Sequence, residues 1–211
     1  MSPLQPNSSS AVASVQEFSS EERNQLLRLA RDSISSALDH REISMEPTTP
    51  HFAEPRGVFT SIYLRRDRPA QVRPGHDRPG EELRGCVGYV LPTSPVYRAV
   101  AETARAAAFD DNRFPPVTRE EAPHLAIELS ILSPPQAIQP EEIEIGRHGL
   151  LIGWQGRRGL LLPQVPVERA WDRTVFLEQT CHKAGLPADA WQRGAAIEAF
   201  TAEVFGEKSG Q

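Results

Sequence analysis

The hydrophobic positions in the first part of the chain have a helical spacing, followed by a strand spacing. Ser19-Ser20-Glu21-Glu22 matches a capping box and predicts the start of a helix. Prolines predict an extended connection over Glu46–Arg56, and alternating β-branched and aromatic residues predict a strand over Gly57–Leu64. The helical stripe recurs every four residues until about His40, at Leu26, Ala30, Ile34 and Leu38.

The stretch L-R-G-C-V-G-Y-V, Leu83–Val90, predicts a short and largely buried strand around one of the two cysteines. Gly85 and Gly88 indicate a bulge or the close approach of another group. Arg84 stands beside Cys86, and a neighbouring cation stabilises the reactive thiolate. The alternative for Cys86 is a buried structural cysteine.

Residues 65–82 lie between these two strands and contain prolines, glycines and many charges, which predicts a long loop. Its five arginines could bind an anion or nucleic acid. Acidic residues offset much of that charge, and no aromatic residues are interleaved with the arginines. The pattern therefore favours a solvated loop and argues against nucleic-acid binding.

The next segments predict a helix and a strand. Ser94-Pro95 predicts the start of a helix with one face of small residues, and Asp111 and Arg113 lie in the proline-ended loop that follows. Leu125–Leu132 alternates cleanly, which predicts a strand with Glu128 on its second face. If that face is covered, Glu128 needs Arg84 or Arg113 as a partner; if it is open, Glu128 is only a solubilising residue.

The last third of the chain predicts a hairpin and a further helix. Gly149–Trp154 and Gly159–Leu162 form the predicted hairpin, joined by residues 155–158. Thr174–Ala184 has helical spacing, places Cys181 on its apolar stripe and is followed by a glycine stop. The pattern of Ile197–Phe205 fits either a strand or a helix.

Composition narrows the class of protein. A net charge of −5 gives no global attraction to nucleic acid or to anionic membranes, and two widely separated cysteines favour a reducing compartment, the cytoplasm. No stretch is apolar enough to span a bilayer. We predict a disordered Ser/Pro-rich tail over residues 1–18, a single domain over 19–206 and a tail over 207–211.

Few sequence motifs indicate specific chemistry. Glycine-rich nucleotide loops and zinc-type histidine pairs are not found, so neither a cofactor nor a metal is predicted. The economical hypothesis makes Cys86 the nucleophile and His148 the acid or base, with Arg84 or Arg113 binding an anion and Asp111 or Glu128 orienting the site. His148 is otherwise a turn histidine.

Four motifs in order resemble the AMMECR domain family, which includes protein A of the AmmeMemoRadiSam system. They are L-R-G-C-V-G, D-N-R-F-P-P, G-R-H-G and L-L-L-P-Q-V, beginning at Leu83, Asp111, Gly146 and Leu160. The run from Trp171 to Trp191 is also similar. The resemblance covers about residues 21–206, and the combination of motifs is more specific than any one of them.

This resemblance implies an α+β protein with antiparallel sheets and flanking helices. It also implies a larger and a smaller lobe around a cleft near the cysteine motif. It implies partnership with radical-SAM and Memo-like proteins and an unknown small-molecule ligand, with no established reaction. A non-catalytic ligand-binding or adaptor module is the alternative. The positions that match the family's motifs are Arg84, Gly85, Cys86, Gly88, Asp111, Arg113, Pro115, Glu128, His148 and Gln164.

Overall fold

The computed structural model describes residues 17–43, 46–65 and 80–207. The predicted tails, apart from their innermost residues, and the centre of the predicted loop lie outside these residues. The described chain divides into two compact units, and the smaller unit, residues 135–201, is an insertion in the chain of the larger one. Both units combine helices with an antiparallel sheet, which confirms the predicted α+β class. The predicted cleft between two lobes stays a prediction.

The larger unit contains one four-stranded antiparallel sheet in the order β2-β1-β3-β8. Two helices cover one face of this sheet. Short 3-10 turns occur at Pro50–Ala53 and Ala122–His124. The elements are α1 (Ser20–Leu38), β1 (Gly57–Arg65), β2 (Glu81–Tyr89), α2 (Val96–Phe109), β3 (Leu125–Leu132) and β8 (Ala202–Gly206).

The core of the larger unit lies between the helices and one face of the sheet. Leu26 and Ile34 of α1 pack there with Ile127 and Leu129 of β3, as the two periodicities predict. The predicted capping box is confirmed, because the Ser19 hydroxyl accepts the N–H of Glu22 while the Glu22 carboxylate accepts the N–H of Ser19. The capping residues therefore fix where α1 begins.

Two boundaries of the predicted tails are wrong. Phe18 is only 2% exposed and belongs to the core, and its main-chain N–H donates to the Glu203 carboxylate of β8. Arg23 pairs with the same carboxylate. Glu207 pairs with Arg31 of α1. Long-range ion pairs hold these residues in the folded unit. The composition of a short segment does not show such contacts with distant residues.

The start of α2 differs from the prediction, although its buried face is confirmed. Pro95, rather than Ser94, occupies the N-cap position, and no side chain caps this helix. Instead, the N–H of Val96 donates to the carbonyl of Glu54 at 2.9 Å. The predicted face is buried throughout, at Val96, Ala99, Val100, Thr103, Ala104, Ala107 and Ala108.

The smaller unit contains a second antiparallel sheet, in the order β4-β7-β5-β6. The hairpin turn consists of Gln155 and Gly156 alone, both with positive φ, so the predicted four-residue connection is wrong and Arg157 and Arg158 lie in a strand. The elements are β4 (Gln136–Ala137), β5 (Gly149–Trp154), β6 (Arg157–Leu161), α3 (Gln164–Glu168), α4 (Arg173–Lys183) and β7 (Ala196–Phe200).

Helix α4 supplies much of the core of the smaller unit. Asp172 caps its start by accepting the N–H of Val175, and Gly185, at φ 69°, follows its end as predicted. Cys181 is fully buried in this core, which confirms its predicted structural role. Both Cys86 and Cys181 are free thiols.

The segment predicted as Ile197–Phe205 is neither one helix nor one strand. It contains parts of β7 and β8, which Thr201 separates and which belong to different sheets. Among the described residues, no helix is both long and apolar enough to cross a membrane.

Candidate functional site

Cys86 lies in the middle of β2, an edge strand of the larger sheet, and is half-buried. It stands opposite Ser61 of β1. The Ser61 hydroxyl donates a hydrogen bond to the Cys86 sulfur across 3.2 Å. The main-chain groups of Cys86 point away from β1, as expected at a non-hydrogen-bonded pair, where facing side chains come closest. Ser61 was not predicted as a site residue, although strand alternation places it with Phe59 and Tyr63 on the second face of the sheet.

An ion pair between Asp111 and Arg113 occupies the free edge of β2 at Cys86. Asp111 Oδ2 accepts the main-chain N–H of Cys86 at 2.9 Å, and Arg113 Nη2 donates to the carbonyl of Cys86 at 3.2 Å. Arg113 also donates to both oxygens of Asp111, at 2.9 and 2.6 Å. The pair thus satisfies both main-chain groups that an unpaired edge leaves open. The structure brings these three predicted site residues together.

Asp111 and Arg113 are both ionised near neutral pH. Hydrogen bonds from Arg113, and a further one from the Cys86 N–H, lower the pKa of Asp111 from 3.8 to about 2, although burial opposes this shift. The Asp111 carboxylate raises the pKa of Arg113. Near neutral pH neither group can exchange a proton with a ligand. Their role is therefore to position the strand.

Arg84 is engaged away from the thiol, in contrast to its predicted role as an anion-binding residue. The register between β1 and β2 shifts so that Ile62 faces Gly85 and Tyr63 faces Leu83, which leaves Arg84 as the extra residue of a bulge. The Arg84 side chain is buried. It binds Glu121 through two hydrogen bonds and donates to the carbonyl of Pro115.

Glu121 was not predicted as a site residue. It lies 37 positions from Arg84, in a polar stretch whose pattern carries no sign of the contact.

The two glycines beside Cys86 allow two different close approaches. A Cβ at Gly85 would lie 1.9 Å from the carbonyl oxygen of Ala107, so α2 packs directly on the strand there. A Cβ at Gly88 would lie 2.3 Å from the ring of Phe59. Both contacts come from the protein itself. The predicted close approach is therefore met by a helix and by an aromatic ring.

The second face of the sheet is mixed in character around Cys86. Tyr63, Leu83 and Ala126 form a small buried cluster, against which Cys86 and Phe114 pack. On the other side of Ser61, Glu128 of β3 is half-buried in the same row of the sheet. Neither Arg84 nor Arg113 pairs with Glu128, because both bind other carboxylates. The alternative in which Arg84 or Arg113 is the partner of Glu128 is therefore wrong.

His148 and Gln164, the other two predicted site residues, belong to the smaller unit. Gln164 is exposed at the start of α3. His148 is half-buried, and its Nδ1 accepts the main-chain N–H of Glu144 at 3.1 Å, so the neutral ring carries its proton on Nε2. Burial, with the nearby Arg147, lowers the pKa of His148. The neutral ring therefore offers a donor at Nε2. The pairing of His148 with Cys86 stays a prediction.

One cluster in the described residues has the donor atoms of a metal site. Ligand atoms of Glu17, His51 and Glu54 lie within 4.8 Å of one another. However, the buried Arg56 donates to both carboxylates, and His51 Nδ1 lies 3.1 Å from Glu22 Oε1. These contacts form an ion-pair network in which a guanidinium already stands where a cation would bind.

Together the two units define an α+β protein whose larger sheet presents a half-buried cysteine from an edge strand fixed by an Asp–Arg pair. The sequence profile of the AMMECR1 family matches residues 27–205. The chain belongs to the AMMECR1 family, which confirms the resemblance of its motifs.

Relatives support this assignment over nearly the whole length. Protein TK0174 of Thermococcus kodakarensis is 42% identical over 192 residues, which are 87% of this chain and 89% of that protein. Protein MJ0810 of Methanocaldococcus jannaschii is 42% identical over 195 residues, with coverages of 89% and 90%. The crystal structure of the uncharacterized protein PH0010 from Pyrococcus horikoshii is similar, with a TM-score of 0.69, 41% identity and coverage of 87% of this chain and 90% of that one.

Proposed function

We propose that this protein binds a small-molecule ligand on the sheet face around Cys86 and that the Cys86 thiol reacts with it, in the cytoplasm and together with radical-SAM and Memo-like partners. The hydrogen bond from Ser61 to the Cys86 sulfur is the observation that carries this proposal. The main-chain groups of Cys86 are already bound by Asp111 and Arg113. The side chain is the part of Cys86 that remains available to a ligand.

The surroundings of the sulfur support nucleophilic chemistry. A hydroxyl donor stabilises the thiolate more than the thiol, and the thiolate is the form that attacks an electrophile. The half-buried Phe114 supplies apolar surface nearby, while Glu128 lies beyond Ser61. A ligand with both an apolar and a polar part suits such a face. The free thiols of Cys86 and Cys181 agree with a reducing compartment.

The charges of the site favour one alternative, a module that binds a ligand or partner and breaks no bond. Asp111 and Arg113 cannot transfer protons near neutral pH. A catalytic site around Cys86 would need another group for this task, and His148 and Glu128 are the predicted candidates. If neither acts on the same ligand as Cys86, binding is the function that remains.

Thiol alkylation tests the reactivity of Cys86, with Cys181 as an internal control. Cys181 is fully buried, and burial raises its pKa, so we expect iodoacetamide to modify native protein at Cys86 alone. Removing the hydroxyl in Ser61→Ala should slow alkylation at pH 7 by about 2–10-fold, the worth of one hydrogen bond. A Cys86 as slow as Cys181, or an unchanged rate in Ser61→Ala, contradicts an activated thiol.

Reconstitution with the radical-SAM and Memo-like proteins tests the reaction. We expect the mass of a small molecule to change when the wild-type chain or Cys181→Ala is present. With Cys86→Ser we expect no such mass change. His148→Gln measures the contribution of the predicted acid. Equal turnover in Cys86→Ser rejects a role for the thiol and supports the binding module.

A further inference from the structure

A pocket lies on the helical side of the larger unit. Its volume is about 370 Å³, and it opens between the C-terminal part of α1 and the middle of α2. This volume is in the range of small-molecule sites. Helices α1 and α2 pack on the core face of the sheet, whereas the Cys86 side chain lies on the second face with Phe114. The two sites are therefore separate.

Ser36 places an unbound hydroxyl in this pocket. The residue is 4% exposed, lines the pocket, and its hydroxyl makes no hydrogen bond with any described residue. Its neighbour Ser33 behaves differently, because the Ser33 hydroxyl donates to the carbonyl of Ala101 at 2.7 Å. Ser36 Oγ is not one of the buried unpaired polar atoms among the described residues, so it is reached from the pocket itself. The Ser36 hydroxyl is therefore a hydrogen-bonding group that the protein leaves available to a ligand in the pocket.

The end of α1 shapes the wall of the pocket without using that hydroxyl. The main-chain N–H of Arg41 donates to the carbonyl of Ser36 at 2.8 Å, and the N–H of His40 donates to the carbonyl of Ala37 at 3.2 Å. His40 has φ 54°, so the chain reverses here in a Schellman-type turn. The carbonyls of the last turn are satisfied, and residues 41–43 fold back to line the pocket.

Charged side chains at the rim define what the pocket can bind. Arg105 of α2 is exposed and pairs with no acidic group among the described residues, while Arg41 pairs with the exposed Asp39. Guanidinium groups donate hydrogen bonds to carboxylates. Glu42 and Glu102 also line the pocket and can accept a hydrogen bond from a hydroxyl or an ammonium group.

We propose that this pocket binds a small organic acid that carries a hydrogen-bond donor beside its carboxylates. Arg105 and Arg41 bind the carboxylates. The Ser36 hydroxyl forms a hydrogen bond with the ligand inside the pocket, and Glu42 or Glu102 accepts a hydrogen bond from the ligand's donor. The proposal does not depend on the chemistry of Cys86.

Three four-carbon dicarboxylates test this ligand class by NMR titration of the ¹⁵N-labelled full chain. L-Malate carries a hydroxyl, L-aspartate an ammonium group, and succinate neither. We expect malate or aspartate to bind with a dissociation constant of about 1 mM or below, to bind at least about threefold more tightly than succinate, and to shift the amide signals of Ser36 and Ala101. Unchanged binding in Cys86→Ser would show that the pocket binds its ligand independently of the thiol site.

Matched variants identify the residues that bind. Ser36→Ala should weaken binding about threefold or more, and Arg105→Gln about tenfold. Arg98→Gln is the control, because Arg98 is exposed on the same helix outside the pocket. The proposal is overturned by signal shifts centred elsewhere, by no binding at 20 mM of any probe, or by equal losses in Arg98→Gln and Arg105→Gln. Equally tight succinate binding overturns the ligand class.

Discussion

The carboxylate of Asp111 accepts the main-chain N–H of Cys86 at 2.9 Å, at an edge of the sheet where a further strand would otherwise pair. The loop after α2 thereby fixes the backbone that presents the thiol. Arg113 completes this arrangement from the carbonyl side. Side chains close the edge at Cys86, and no other strand can pair there while they remain bound.

Replacing Asp111 should lower the stability of the larger unit in a pH-dependent way. The folded-state pKa of Asp111 is about 2, below the ordinary 3.8, so its contribution is present above pH 4 and is lost as the pH falls toward 2. We expect Asp111→Asn to lose about 2 kcal/mol at pH 7, measured by urea unfolding, and to match wild type near pH 2. Asp110→Asn, an exposed neighbour, is the control. An equal loss at both pH values contradicts this linkage.

Gly85→Ala should destabilise the protein by about 3 kcal/mol, because its Cβ would overlap the backbone of α2 and force the helix to move. Gly153→Ala is the matched strand control. There the nearest atom is Cγ of the flexible Arg158, at 3.3 Å, and we expect a change within about 0.5 kcal/mol. Thermal unfolding compares the two variants. Similar melting temperatures would mean that α2 does not pack on β2 as described.

Glu121→Gln should weaken the attachment of the loop to β2. The variant leaves the buried Arg84 without its carboxylate, and the expected loss is about 1–2 kcal/mol because Glu121 itself is partly exposed. Glu120→Gln changes an exposed neighbour and should leave the unfolding midpoint in place. Restoration of stability in the double variant Arg84→Met, Glu121→Gln would show that the cost comes from the unpaired arginine.

His148 should make the folded protein less stable as the solution becomes acidic. Burial lowers its pKa in the folded state, so its contribution is complete above about pH 6.5 and declines as the pH falls below that value. NMR titration of the ring should give a pKa below 6.5. His148→Asn retains an acceptor for the Glu144 N–H and should show a smaller loss between pH 6.5 and 5. A ring pKa above 6.5 would contradict the burial.

Elements with a local pattern could be predicted from the sequence. Leu125–Leu132 has the predicted bounds, because a strand with one covered face repeats every two residues. The division of Ile197–Phe205 between two sheets could not be predicted, since Thr201 alone separates β7 from β8 and is not a turn signal. Cap positions also depend on distant groups, as the contact between Val96 and Glu54 shows.

The sequence predicted the central residues of the candidate site but not the residues Ser61 and Glu121 that contact them. Cys86, Asp111 and Arg113 meet as expected. The register that places Ser61 opposite Cys86 depends on a bulge, and the long segment between the strands leaves register open in the sequence. Glu121 reaches Arg84 only through the tertiary fold. Contacts of this kind decide whether an arginine binds a ligand or a neighbouring loop.

The late position of β8 in the sequence affects the order in which the two units can fold during synthesis. Its Glu203 binds the main-chain N–H groups of Glu17 and Phe18 and pairs with Arg23, yet it is synthesised after the whole insertion, residues 135–201. On the ribosome, every strand of the smaller sheet emerges before β8 does. The inserted unit can therefore complete its hydrogen bonding first, while the outer edge of β3 and the first turn of α1 wait for β8, which is translated after that unit.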